Sequence, residues 1–206
     1  GAALTFALPA GSDPLTAVAG EFVGDASVDV AVATAGSNGA ALLRGRGDGT
    51  FTAAGTLPTG GGVRGLAAAD LDADGDTDLV AVSIGVNELA WLRNEGGGVF
   101  SVAVAQGVGT DPRDVVLADF DGDTLADAVV ANPGSGDFSF LRGDAATGFA
   151  SESRFEFDGL PTRLTSGDYD GDGNRDFAAI RFREGGTTVA LGMVAAFYGN
   201  GDGTFS

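Results

Sequence analysis

Along the chain, short runs of Val, Ala, Leu and Phe alternate with clusters of Gly, Asp, Asn and Pro. This alternation predicts short strands joined by tight turns, and no helical period persists. Runs such as DLVAVSI (78–84) and DAVVAN (127–132) are apolar at successive positions. Both faces of such strands are expected to be covered, as when each small sheet is sandwiched between neighbours.

The runs recur at a fixed interval. AADLDADGDTDLVAV, LADFDGDTLADAVVA and TSGDYDGDGNRDFAAI align with their first aspartates at Asp70, Asp119 and Asp168, and 119 − 70 = 168 − 119 = 49. A further step back reaches Glu21 in VAGEFVGDASVDVAVA, a diverged copy. Pro14, Val63, Pro112 and Pro161 keep the same spacing, as do Phe51, Phe100 and Phe149. The fourth copy slips by seven residues, to Phe205, and an insertion in REGGTTVALGM accounts for it.

Four strands per repeat of 49 residues predict an all-β fold, a β-propeller of four four-stranded blades. The blade cores are expected at about 15–62, 63–111, 112–160 and 161–206 plus 1–14, one domain over 1–206. The last repeat stops after GDGTF, where the others continue into an outer strand. The N-terminal strand, Ala3 to Leu8, is therefore expected to complete the last blade and shut the ring, or else to complete a blade of a neighbouring segment.

Composition narrows the chemistry. The net charge is −18, which opposes nucleic acid and anionic membrane as partners and favours cations. No apolar run is long enough for membrane insertion as a spanning helix. The 11 basic residues are all Arg, and His, Lys and Cys are absent. Histidine-based nucleophilic catalysis, Schiff-base lysines, disulfides and thiolate or imidazole metal sites are thereby excluded within this chain. The reading is a non-enzymatic module: carboxylate pairs can hydrolyse glycosides, but the clustered aspartates have another use.

That use is metal binding. Acidic or amide groups stand at alternate positions: Asp70, Asp72, Asp74, Asp76 and Asp78; Asp119, Asp121, Asp123 and Asp127; Asp168, Asp170, Asp172, Asn174 and Asp176. A tight loop turns alternate side chains inward and makes an oxygen-only cage, which suits Ca²⁺. Two carboxylates 4 Å apart repel by about 4 kcal/mol at an effective dielectric of 20, so a cation is needed to keep such loops closed. An EF-hand fits poorly, because Ala81, Val130 and Ala179 stand where its bidentate Glu would be and strands flank the loops.

The pattern D-h-D-x-D-G-x-x-D before an apolar strand, followed by G-D-G-T-F, resembles the FG-GAP or VCBS repeats of integrin-alpha-type β-propellers over essentially the whole chain. The resemblance implies side-chain ligands at positions one, three, five and nine: Asp70, Asp72, Asp74, Asp78; Asp119, Asp121, Asp123, Asp127; Asp168, Asp170, Asp172, Asp176. It implies main-chain carbonyl ligands at position seven, from Asp76, Leu125 and Asn174. The first repeat offers Glu21, Asp25 and Asp29 but has Val23 in place of a ligand, so its site is expected to be weak. Integrin propellers have seven blades and this chain four, so their ligand surfaces do not transfer directly.

Strand alternation places the acidic loops and the GDGTF turns on one face. On the opposite face Arg64 and Arg113 either offset an acidic surface or form the rim for a protein or glycan partner, or for copies of the chain in a fibre or tandem array. Trp91 and Tyr198 are expected to pack in the core. The functional expectation is an extracellular or cell-surface structural or adhesion module filled by ambient calcium. A lectin-like propeller and an accessory domain of a polysaccharide-processing enzyme are the alternatives. Two Arg-Gly-Asp tripeptides, at 46–48 and 142–144, fall two positions out of repeat register and read as turn chemistry.

Overall fold

The computed structural model describes residues 5–8, 12–35, 39–57, 59, 62–183 and 191–206. They form four antiparallel sheets arranged as the blades of a β-propeller. The first contains β1 (Pro14–Gly20), β2 (Asp29–Thr34), β3 (Gly39–Gly45) and β4 (Phe51–Leu57). The second contains β5 (Val63–Ala69), β6 (Asp78–Ser83), β7 (Glu88–Asn94) and β8 (Phe100–Gly107). β9 (Asp114–Ala118), β10 (Asp127–Asn132), β11 (Asp137–Asp144) and β12 (Gly148–Glu156) make the third, and β13 (Leu160–Gly167), β14 (Asp176–Arg183) and β15 (Leu191–Phe197) the fourth. Strand order within each sheet follows the chain, so every blade is a meander.

The continuous apolar runs have the predicted consequence. Every residue of β6 and β10 is buried, because both faces of these strands meet neighbouring blades. Three hydrophobic clusters join the blades in sequence. Phe22, Leu42, Leu57, Val63, Leu66 and Leu79 bridge the first and second; Leu71, Val80, Trp91, Val115, Val130 and Leu141 bridge the second and third. Phenylalanines dominate the third junction, where Phe177 stacks on Phe197 with centroids 4.5 Å apart and Phe120 and Phe205 meet edge-on. Burial at about 25 cal/mol per Å² of apolar surface makes these junctions the main source of stability.

The junction beyond the fourth blade differs. Tyr169, Ile180 and Val194 are 45%, 43% and 72% exposed on the described surface. Of the expected N-terminal strand, residues 3 and 4 lie outside the described residues, and residues 5–8 pair with no strand, so the fourth sheet has three described strands. Those residues nevertheless hold the register position of an outer strand. Leu8 stands 49 residues before Leu57. Leu57 packs in the cluster between the first and second blades, and Leu8 packs against Val32, Ala41 and Leu43 on the other face of the first blade, beside the edge-on pair Phe6 and Phe51. Contact with the following blade, rather than pairing with β15, positions this segment. Most of the inserted segment after Arg183, 184–190, lies outside the described residues.

Candidate metal centres

Each innermost strand runs into an acidic loop that ends at the first residue of the second strand. That residue is Asp29, Asp78, Asp127 or Asp176, and all four are fully buried. One carboxylate oxygen accepts the backbone N–H of the loop's second residue, Phe22, Leu71, Phe120 or Tyr169, at 2.9, 3.1, 2.8 and 2.7 Å. The other accepts the N–H of Gly45, Asn94, Gly143 or Gly199, at 2.8, 2.7, 2.7 and 2.8 Å. The ninth aspartate is thus a clamp that ties the loop to the third-strand end. Glycine follows from the tightness of that approach: a Cβ at Gly45 or Gly199 would stand 2.1 Å from the carbonyl oxygen of Val28 or Arg175. In the second blade Asn94 takes this place, and its side-chain amide donates to the matching carbonyl of Thr77 at 3.1 Å.

The loop's apolar second residue explains how the sites and the blades are coupled. Phe22, Leu71 and Phe120 each enter an inter-blade cluster. The carbonyl of Phe22 also accepts the Asn94 side-chain amide at 3.1 Å, and that of Phe120 accepts the N–H of Gly203 at 3.2 Å. Each of these bonds crosses from one blade to the next.

The remaining aspartates shape the loop through their own backbone. Asp70 accepts N–H bonds from Asp74 and Gly75, Asp119 from Gly122 and Thr124, and Asp168 from Gly171 and Gly173. Positions three and five each accept from the residue two further on, as Asp72 does from Asp74 and Asp74 from Asp76. These turns deliver the convergence expected from the sequence. Asp70, Asp72 and Asp78 offer carboxylate oxygens all within 4.8 Å of one another, as do Asp119, Asp121 and Asp127, and Asp168, Asp170 and Asp176.

Position five stands outside these groups. Asp74, Asp123 and Asp172 cap the N–H of Asp76, Leu125 and Asn174, at 2.9, 2.8 and 2.7 Å. The Asn174 side-chain amide turns back to Asp172 at 2.8 Å. At position seven, the Asp76 side chain does not enter its group.

Burial sharpens the electrostatics. The Asp78 carboxyl is pushed above the ordinary carboxylate range by desolvation, against the pull of the N–H bonds from Asn94 and Leu71. Asp127 is pushed up to about 6, mainly by burial and further by the nearby charges of Asp121 and Asp123. The side chains of Asp72 and Asp121 are only 6% and 5% exposed. The buried Oδ2 of Asp72 has the Arg93 guanidinium 2.7 Å away as its counter-charge. Converging, desolvated carboxylates fit a metal ion, and an all-oxygen donor set selects a hard one.

Sequence reasoning missed a set of arginines at these loops. Arg44, Arg93 and Arg142 are 49 apart, a signal that was available. Arg93 Nε lies 2.7 Å from Asp72 Oδ2, with another of its nitrogens 3.5 Å from Asp74; Arg142 is 3.0 Å from Asp121. Tyr198 replaces the arginine in the fourth repeat once the seven-residue slip is included, and it is 41% exposed rather than buried in the core. Trp91 is buried between blades, as expected.

The first loop is built otherwise. Glu21 Oε1 reaches back to accept the N–H groups of Val23, Gly24 and Asp25. Asp25 is held by Arg44 through Nε and a terminal nitrogen, both at 2.8 Å, which keeps its carboxyl below the usual range. Among the described residues no group of three acidic side chains converges there.

The model of the FG-GAP-like repeat matches residues 21–81, 70–130 and 119–179, in the 49-residue register of the loops. The chain belongs to the FG-GAP-like repeat family. Among solved structures, this FG-GAP-like propeller is similar to an Agrocybe aegerita lectin solved for specific recognition of non-reducing terminal N-acetylglucosamine. The TM-score is 0.58 at 19% identity, over 91% of this chain and 49% of that one. It is also similar to BBS1N in complex with ARL6DN, soaked with lead, with TM-score 0.55 at 14% identity over 93% of this chain and 59% of that one. At these identities the likeness is one of fold, and the chain spans about half the length of the first neighbour. No curated protein matches the chain.

Arg64 and Arg113, the residues expected at a ligand rim, stand together in a cavity of about 390 Å³ at the other end of the innermost strands. They are far from the acidic loops along those strands and contribute nothing to the metal centres.

Proposed function

We propose that this FG-GAP-like propeller is a non-catalytic calcium-binding module whose ions lock neighbouring blades together, and that it serves outside the cell as a structural or adhesion unit. The observation that carries the reading is the convergence of three aspartates at the same register in the second, third and fourth blades. Calcium is the ion of choice because it accepts six to eight oxygens in flexible geometry, whereas Mg²⁺ demands a near-ideal octahedron. The residues that would hold it are the three aspartates of each group, with Asp74, Asp123 and Asp172 beside them and the carbonyls of Asp76, Leu125 and Asn174 closing the loop. Bound ions would neutralise carboxylate repulsion and stabilise the folded state by mass action. Exposed loops of this type fill most readily at extracellular calcium concentrations, which supports the location.

Thermal unfolding with and without chelator is the direct test. Calcium at millimolar concentration is expected to raise Tm well above its value in EDTA, and magnesium to do so far less. Identical melting curves in calcium and EDTA would overturn the assignment. A glycan-binding role is the second reading, supported by the fold likeness to a lectin over most of the chain.

A further inference from the structure

The mouth of the propeller on the face opposite the acidic loops is lined by Leu15, Arg64, Arg113, Thr162, Arg163 and Ile180. The first four occupy one repeat position, since 15, 64, 113 and 162 are each 49 apart. They therefore come from successive blades and converge on the axis at the starts of the innermost strands. Three of the chain's 11 basic residues meet at this one cavity, and among the described residues no carboxylate lines it, although the chain holds 29 acidic residues.

We propose that this axial mouth binds an organic carboxylate, an acidic sugar or a small dicarboxylic acid, through Arg64, Arg113 and Arg163. Arginines that merely offset an acidic surface would be paired, and two of these three are not. Among the described residues, the guanidinium groups of Arg64 and Arg163 make no ion pair; the half-buried Asp114 acts on Arg163 through charge alone and spends a carboxylate oxygen on the N–H of Leu164 at 2.9 Å. Arg113 is the positioned member. Asp111 holds its Nε at 3.2 Å and a terminal nitrogen at 2.9 Å. Asp111 itself has a left-handed backbone, φ 55°, fixed by an N–H bond to the Asn87 side chain of the preceding blade.

Gathering three like charges, offset only in part by Asp111 and Asp114, costs free energy that an anion recovers, and a planar guanidinium fork matches a carboxylate with two parallel bonds. The chemistry of the remaining wall favours an organic anion over an inorganic one. Leu15 and the 43% exposed Ile180 offer apolar surface, while the Thr162 hydroxyl donates to the Ile180 carbonyl at 3.3 Å. A volume of about 390 Å³ suits a small organic molecule. The site stands on its own residues and does not depend on the calcium reading.

Calorimetric titration of the whole chain in saturating calcium tests it, with digalacturonate, succinate, inorganic phosphate and neutral lactose as probes. Digalacturonate or succinate is expected to bind, and whichever binds tighter identifies the source as sugar acid or dicarboxylic acid. Replacing both Arg64→Gln and Arg163→Gln should weaken that binding at least about tenfold, the scale of a lost charged hydrogen bond, while Arg46→Gln on the opposite face leaves it unchanged. Failure of both carboxylates to bind, equal binding of phosphate or lactose, or full binding by the double variant would overturn the proposal. Arg64 makes no ion pair among the described residues and Arg163 meets Asp114 through charge alone, so the double variant and the Arg46 variant should both melt close to the wild type. Their response to EDTA reports on the calcium sites separately.

Discussion

Arg44 and Asp25 form a two-nitrogen ion pair at 2.8 Å inside the first acidic loop, where the other repeats bring three carboxylates together. Val23 has removed one ligand oxygen, Glu21 has turned its carboxylate onto the backbone, and the guanidinium supplies the positive charge. The first loop is thereby closed without an ion. Calcium titration should accordingly saturate at three ions per chain, one for each aspartate group. Arg44→Gln should leave that number unchanged and lower Tm only slightly, because the pair is solvent-exposed. A fourth ion in the wild-type chain would contradict this account.

The ninth aspartate of the same loop gives a second prediction. Asp29 is buried and satisfies the N–H groups of Phe22 and Gly45, two donors that have no water to turn to. Asp29→Ala should destabilise the protein by about 2–4 kcal/mol, from two buried donors at roughly 1–3 kcal/mol each with partial relaxation. Since no group of three carboxylates converges in this loop among the described residues, the loss read by urea unfolding should be the same in calcium and in EDTA. The matching change Asp78→Ala should cost more in calcium, because it removes a clamp and a ligand together.

The two Arg-Gly-Asp tripeptides are engaged by the fold. Asp48 accepts both the N–H and the hydroxyl of Thr50, at 2.9 and 2.6 Å, and Asp144 accepts the same two groups of Thr147 at 2.8 and 2.9 Å. Arg142 is bound to Asp121 in the acidic loop and to the Asp202 carbonyl. Neither tripeptide presents free side chains at both ends in the manner of an adhesion ligand. Cell attachment to immobilised protein, if measured, should be unchanged by Asp48→Glu with Asp144→Glu; lost attachment would overturn the turn reading.

How far the sequence could be read follows from the kind of interaction involved. The 49-residue spacing of Asp70, Asp119 and Asp168 is a local regularity, and it placed the strands, the blades and the acidic groups. The double duty of Asp29 and its equivalents was hidden, because a buried clamp and an exposed ligand have the same letter. Arg93 and Arg142 were legible in principle, being in register, but their target lies across the sheet from them, and only the third strand's position beside the loop shows it. The axial cavity was half visible: Arg64 and Arg113 share a repeat position, whereas Arg163 stands one residue past that position and breaks the pattern.

Asp127 makes the sign of the pH dependence reverse with calcium. In the metal-free protein its carboxyl is raised to about 6, above the ordinary value of 3.8, because burial disfavours the charge. The native state then holds a proton that the unfolded chain has released. The associated stability is full below about pH 4 and is lost as pH rises through about 6. Asp78, raised for the same reason, adds to the trend. In EDTA, Tm should therefore rise as pH falls from 7.5 to 5. With calcium bound, the cation takes the proton's place, so the same acidification displaces the ion and Tm should fall. Asp127→Asn removes this proton while keeping one acceptor oxygen for the clamp, and should flatten the EDTA profile. A Tm in EDTA that stays level or falls between pH 7.5 and 5 would show that the buried aspartates remain charged without metal.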